Sequence, residues 1–411
     1  MRVAWVTPLP PMPSGVADYS FELLPQIAEE AVVEVICPRP GLLRRQKALP
    51  GIPVVSPAKF ASRVDSYDAV FYHLGNNPQH RFVYFRALAD PGICIFHDFV
   101  MHHLIAHMTI ESRQDPERYL ELMEAEYGPP GRRLGELRIL GAGRELEKFI
   151  FPLNEHIARR AKGIVVHSED AARRLRAVTP GVPAWVIPHH AGRPPREVLG
   201  VGRQQARSML NLPEGAFLVG HFGFVTRPKQ PAAVLEGFAR LAIRHDDALL
   251  LVVGADHVPG GLNRLIRDFG VRHRVQATGF VDLARFYLYL KAVDVVINLR
   301  YPTAGESSGT FARALAEGRA AIISNIGSFA EVPRDIALKV EIDGDQAADV
   351  AAHLIRLAED PGFREALEGR ARHYATFVLD PRRCARLYLQ VAREIPMPAG
   401  YSSDPGAGVP A

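Results

Sequence analysis

The residues best suited to chemistry lie in the run from Leu299 to Gly318, where Gly305-Glu306-Ser307-Ser308-Gly309-Thr310 opens a helical pattern that stops at a glycine. Ser308, Gly309 and Thr310 would offer amide N–H groups and hydroxyls at the positive end of that helix, an arrangement suited to a phosphate. Glu306 at the loop mouth would repel a phosphate, so it is expected to hold sugar hydroxyls or to stabilise developing positive charge. The loop Gly223-Phe224-Val225-Thr226-Arg227-Pro228-Lys229 carries two cations, Arg227 and Lys229, which suit a pyrophosphate or a plain solvated turn. His97 follows the apolar run Ile93–Phe96. It can bond a sugar hydroxyl, move a proton or serve the core. Its neighbour Asp98 points elsewhere in an extended chain, and the spacing to His102 and His103 is no metal pattern. Gly15, in Pro11-Met12-Pro13-Ser14-Gly15-Val16-Ala17-Asp18, either lets a phosphate approach the amides of the next helix or makes a tight turn capped by Ser14.

These segments have one thing in common: each follows an apolar run. Val3–Val6, Val32–Ile36, Ala69–Tyr72, Ile93–Phe96 and Gly163–Val166 are short, β-rich and separated by helical patterns. A second series begins at Phe217–Phe222 and continues through Leu249–Val253, Val295–Ile297 and Ala321–Ile323. Such alternation predicts two doubly wound parallel sheets, which bind ligands at the carboxyl ends of their strands. The expected domains are 1–192, carrying a helical insert at about 101–160, and 193–379. A helix at 380–396 would cross back to the first domain, and the Pro/Gly/Ser-rich tail 397–411 is expected to be disordered.

Composition bounds the rest. The chain has 411 residues, 47% hydrophobic and 23% charged, with a net charge of +4. This is globular composition for two cores rather than one. The charges are interspersed, so nucleic acid is not the expected partner, while weak contact with an anionic membrane face stays open. Cys37, Cys94 and Cys384 support neither a disulfide framework nor a zinc ribbon. With no signal-peptide pattern and no apolar stretch of membrane-spanning length, a cytoplasmic protein is expected, at most peripheral at the inner membrane face.

Taken in order, SGVADYS, FHD, GFVTRPK, TGFVD (Thr278–Asp282), AGESSGTFARALAEG and IGSFAEVP resemble the retaining glycosyltransferases of family four. The resemblance runs nearly to Ile395. It implies the α/β GT-B architecture, two Rossmann-like domains facing a central cleft. It implies a nucleoside diphosphate sugar as co-substrate, held mostly by the second domain, and a saccharide, lipid-linked or small-molecule acceptor on the first. No cofactor and no metal are implied. By resemblance, Gly15 gives an amide to the diphosphate, His97 contacts the donor sugar, Lys229 pairs with the diphosphate, Glu306 meets sugar hydroxyls, and Ser308, Gly309 and Thr310 line the phosphate site. Phe280 and Val281 would sit beside the base. The sequence departs from the family twice. The family's second glutamate, usually bonded to ribose, is Ala314 counted from Glu306 or Arg313 counted back from Gly318. Its usual arginine after the loop glycine is Phe224, for which Arg227 can substitute. Alternatives on the same fold are a sugar-nucleotide epimerase, a phosphorylase or a non-catalytic binding module.

Overall fold

The computed structural model describes residues 1–12, 14–38, 49–112 and 115–395. The chain divides into two compact units. The first holds Met1–His189, the short segment Ala304–Ser307 and the chain from Pro381; the second holds His190–Thr303 and Ser308–Asp380. The expected boundary at 192/193 lies three residues beyond this division, and the expected second domain had included Ala304–Ser307. That segment sits with unit 1 because Val100 N–H donates to the Ala304 carbonyl at 2.9 Å. A Cβ on Gly305, whose φ is +77°, would overlap that of Phe99.

Unit 1 is built on β1 (Arg2–Val6), β2 (Val32–Ile36), β3 (Val54–Val55), β4 (Ala69–Leu74), β5 (Ile93–Phe96), β6 (Gly163–Val166) and β7 (Ala184–Val186). They form a parallel sheet of order β3-β2-β1-β4-β5-β6-β7. β4 is buried at every position, as a strand covered on both faces must be. Side chains alternate: Val70, Tyr72 and Leu74 join one core, Ala69 and Phe71 the other. The second core is closed by the helices Gly15–Ile27 and Pro381–Glu394, the latter through Cys384, Ala385, Tyr388, Leu389 and Val391. The insert forms helices at His102–Ala106, Pro116–Ile139, Glu145–Ile150 and Glu155–Arg160. Gly128, at φ 66° and followed by Pro129 and Pro130, kinks the longest of them. The expected disordered tail, 397–411, lies outside the described residues.

Unit 2 repeats the plan with β8 (Leu218–Phe222), β9 (Leu249–Val253), β10 (Val275–Gly279), β11 (Val295–Asn298), β12 (Ala320–Ser324) and β13 (Leu338–Val340), all parallel, in the order β10-β9-β8-β11-β12-β13. In each sheet the strand order reverses beside the opening strand, between β1 and β4 and between β8 and β11. Ligands of open parallel sheets bind at the carboxyl side of such switch points. All three cysteines are buried thiols, and none is in a disulfide. Among the described residues no helix is long and apolar enough to cross a membrane.

Candidate functional site

At the switch point of unit 1, Ser14 caps the helix Gly15–Ile27 by accepting the Val16 N–H at 3.3 Å. Gly15 opens that helix, and a Cβ built there would meet nothing within 4 Å. Neither crowding nor backbone strain inside the chain therefore demands a glycine here; close approach of a ligand would. Ser14 Oγ also lies 3.5 Å from His80 Nε2, while His80 Nδ1 bonds the carbonyl of His73 at 2.8 Å. Gly75 makes room for this ring, since a Cβ there would come within 2.7 Å of His80 Nε2. Burial pushes the His80 imidazole down to about 4.

His97 lies one residue past β5 and is part of a row. His73 belongs to β4, His167 follows β6, and His189 comes soon after β7. The alternation of a strand places His73 with Phe71, His97 with Ile95 and His167 with Val165, all on the face covered by the helices Gly15–Ile27 and Pro381–Glu394. His97 Nε2 is 2.9 Å from His73 Nδ1, and His97 Nδ1 is 3.1 Å from His167 Nε2. His167 Nδ1 ends the row on the Ile187 carbonyl at 2.8 Å. Tyr19 lies edge-on to His97 and His189, with ring centroids 4.8 Å away in both cases, and its hydroxyl shares a 2.8 Å hydrogen bond with that of Tyr388. Burial, and then the charges His167, His73, His189 and His80 would carry, hold His97 well below the ordinary imidazole value. Burial brings His167 to about 4. Because these nitrogens point at one another, they do not converge on a common point. Among the described residues no group of three or more His, Cys, Asp or Glu is arranged to hold a metal.

The strand-end segment after His97 is tied down at successive residues. Asp98 Oδ2 accepts the Asn76 N–H at 2.8 Å, away from His97, and Asn154 Nδ2 donates to the Phe99 carbonyl at 2.5 Å. The guanidinium of Arg174 lies 3.7 Å above the Phe99 ring. On this strap rests the segment carrying Glu306, whose carboxylate folds back to accept the Ala304 N–H at 2.7 Å.

In unit 2, Gly223 follows β8 directly, with φ +81°. A Cβ there would lie 2.6 Å from Lys229 Nζ and 3.7 Å from Thr310 Oγ1, so the glycine lets these groups converge. The Lys229 ammonium is buried and donates to the Phe222 carbonyl at 2.8 Å. Ser308 caps the helix Gly309–Ala316, accepting the Phe311 N–H at 3.2 Å and donating to Asn298 Oδ1 at 3.3 Å. The first amides of a helix have no intrahelical acceptor, so Gly309 and Thr310 present donors beside a buried cation. Of the remaining candidates, Arg227 begins the short turn Arg227–Lys229 with its side chain exposed. Phe280 is 70% exposed, Val281 packs partly against the Phe222 cluster, and Arg313 is nearly buried. Phe224 rests against His257 with ring centroids 5.3 Å apart.

The sequence reading missed His73, His80, His167, His189 and Asn298. A signal was present: a histidine at the carboxyl end of one apolar run after another. His221, inside β8, was missed as well; burial and then the cations Lys229 and Arg300 bring it down to about 3.

Residues 202–374 match the family described as "Glycosyl transferases group 1". This stretch is a group 1 glycosyl transferase domain. It contains Gly223, Arg227, Lys229, Phe280, Val281, Glu306, Ser308, Gly309, Thr310 and Arg313. Among curated proteins, a D-inositol 3-phosphate glycosyltransferase of Thermomonospora curvata is 31% identical over 250 residues, 55% of this chain and 56% of that protein. One of Arthrobacter sp. is 25% identical over 329 residues, 69% of this chain and 76% of that protein. The match to the Thermomonospora protein thus spans little more than half of its length. Among solved structures, HepE of Anabaena in complex with UDP and glucose superposes with a TM-score of 0.65 at 14% identity, covering 96% of this chain and 100% of its own. The sucrose-phosphate synthase of Thermosynechococcus elongatus gives 0.63 at 16% identity, covering 96% and 98%. These likenesses show the fold, which is GT-B.

Proposed function

We propose that this chain transfers a hexosyl unit from a nucleoside diphosphate sugar to a hydroxyl of a saccharide, lipid-linked or small-molecule acceptor. In this reading the anomeric configuration is retained and no metal is required. The observation that carries it is the cradle of unit 2: a buried lysine ammonium, a glycine held at positive φ beside it, and a capped helix N-terminus at Ser308–Thr310. A buried cation next to unpaired helix amides favours a group that gains negative charge, as a departing diphosphate does. Its neighbour in the chain, Glu306, would receive the sugar hydroxyls, and Gly15 would offer its amide to the diphosphate. His97 would border the donor sugar. The Glu306 carboxylate is engaged by the Ala304 N–H; in this reading the acceptor attacks on the face the diphosphate leaves, and the leaving phosphate oxygen takes the acceptor's proton.

The experiment is a thermal-shift and calorimetric panel of UDP, GDP, ADP, TDP and their common sugar conjugates, run on the wild type and on Lys229→Met. A ligand that binds only the folded chain raises its melting temperature. One nucleotide should stabilise the wild type. The variant should bind it roughly 10- to 100-fold more weakly, the factor carried by a lost charge-assisted hydrogen bond. A panel without any stabilising nucleotide overturns the donor class. Unchanged affinity in the variant removes Lys229 from the site. Product analysis with the stabilising donor then separates transfer from epimerisation, because an epimerase consumes no acceptor.

A further inference from the structure

The histidine row has a direction, and the direction follows from its far end. A carbonyl has no proton to give, so His167 Nδ1–H must donate to the Ile187 carbonyl at 2.8 Å. A neutral imidazole carries a single N–H, which leaves His167 Nε2 as an acceptor. The 3.1 Å contact to His97 Nδ1 is then a bond donated by His97. By the same count His97 Nε2 is an acceptor, and the 2.9 Å contact is donated by His73 Nδ1–H. A separate bond fixes His80: its Nδ1–H donates to the His73 carbonyl, which leaves Nε2 to face the Ser14 hydroxyl. Each ring sits at the carboxyl end of its own strand, and Tyr19, anchored on Tyr388, closes the face above them.

We infer that His73 and His167 are positioning residues that lock His97 as the Nδ1–H tautomer with both ring nitrogens occupied. His97 is therefore neither a proton carrier nor a ring-nitrogen partner of a ligand; it is a fixed neutral wall. The row cannot pass protons to solvent at its far end, because it stops on an amide carbonyl. Burial and the like-charged neighbours keep His97 neutral at physiological pH, and burial does the same for His167, as the bond order requires. What the wall does for donor sugar rests on the transferase reading above; the tautomer does not.

The test begins with two-bond proton–nitrogen NMR correlation on protein labelled with nitrogen-15 histidine, at pH 7 and without substrate. His73, His97 and His167 should all show a protonated Nδ1 and a bare Nε2. A protonated Nε2 or a charged ring at His97 overturns the proposal. His167→Gln keeps an acceptor for His97 and should leave its tautomer unchanged. His167→Leu leaves the His97 donor buried without a partner. In a transfer assay this variant should lose roughly 10- to 100-fold in kcat, the factor attached to an unsatisfied buried donor, with donor KM within about threefold. Its acid limb should also move to higher pH, since His97 loses a like-charged neighbour. A folded His167→Leu with wild-type kcat and the wild-type pH profile refutes the positioning role. Should the leucine variant not fold, the wild-type spectrum and the glutamine variant decide. Absence of transfer from every donor would remove the functional reading and leave the spectrum to judge the row.

Discussion

Mild acid should unfold unit 1 well before carboxylates titrate. Burial is the leading cause that holds His80, His103 and His167 near 4, His102 near 3 and His97 well below the ordinary value of 6.5. All five lie in unit 1. In unit 2, burial and the cations Lys229 and Arg300 hold His221 near 3. These folded-state values are depressed, so the unfolded chain binds protons first. The stability the neutral rings confer is complete above pH 6.5 and is lost as pH falls toward 4. At pH 5 each such ring costs about 2 kcal/mol, because the unfolded imidazole is almost fully protonated and the buried one almost bare. The five rings of unit 1 together cost about 10 kcal/mol, comparable with the whole stability of a typical domain, roughly 5–15 kcal/mol.

The assay is urea unfolding followed by tryptophan fluorescence at pH 7.5, 6.5, 5.5 and 5.0. The chain has two tryptophans, Trp5 and Trp185, and both are in unit 1, so the signal reports that unit alone. The unfolding free energy should fall by about 10 kcal/mol across this range, with a slope near pH 5.5 of roughly four to five protons. His102→Gln should reduce the slope by about a fifth, since it removes the ring held between the Phe151 carbonyl and the Tyr119 hydroxyl. Carboxylates contribute little above pH 5. A fall of less than about 2 kcal/mol would correspond to no more than one such ring, and neutral burial of these five imidazoles, His97 and His167 among them, would be wrong.

Two substitutions test the scaffolds around the candidate residues. Gly305→Ala forces a side chain at φ +77° against Phe99 and should lift Ala304–Ser307 off its strap; transfer should fall at least about 10-fold while the melting temperature drops only a few degrees, the cost of a single strained loop residue being about 1–2 kcal/mol. Full activity in that variant would dissociate the Glu306 loop from function. Arg207→Met should destabilise unit 2 by about 3–5 kcal/mol in urea unfolding followed by circular dichroism, because the guanidinium bonds the carbonyls of Ala292, Glu214 and Ala216 as well as the buried Asp294 carboxylate; a loss under about 1 kcal/mol would show that the network relaxes around the gap.

What the sequence made legible, and what it hid, divides along sheet position. The apolar runs read as strands are the interior strands, where burial on both faces leaves little room for polar residues. The strands it did not reveal, β3, β7, β10 and β13, are the four sheet edges. β10 reads Val-Gln-Ala-Thr-Gly and is partly or wholly exposed throughout, and β3 is only two residues long. The site divides in the same way. Gly223, Lys229, Ser308 and Thr310 stand in segments whose composition suits an anion or, for the 223–229 loop, a plain solvated turn, and the structure brings these four together. The histidine row depends on register: only when β4, β5, β6 and β7 lie side by side do residues 73, 97 and 167 meet. His73 was further hidden inside a buried run, where a histidine reads as core. The pairing of Ser14 with His80 spans 66 residues and has no local signal.

The departures from the family pattern can be weighed against one another in the helix Gly309–Ala316. Ala314 has no exposure and packs with Phe222, Tyr287, Leu290 and Val296. A carboxylate at that position would be driven into an apolar core, so the register that leaves seven residues between Glu306 and its partner gives no ligand-facing site. The other register gives Arg313, one turn after Gly309 and so on the same helix face. Side chains on a helix lean toward its N-terminus, so Arg313 leans toward the turn that carries the Ser308–Thr310 donors. A guanidinium only donates hydrogen bonds, whereas the glutamate implied by resemblance would accept them from ribose hydroxyls. With Phe224 in the place of the family's loop arginine, the strand-end loop keeps Arg227 and Lys229 as its cations, and Arg313 adds another on the helix. On the transferase reading proposed above, the charge facing the diphosphate would be shared between these two elements of unit 2, while an acceptor for ribose has no counterpart at either register. Selection among nucleotides in this chain would accordingly lean on phosphate oxygens and on the face of the base more than on the ribose diol.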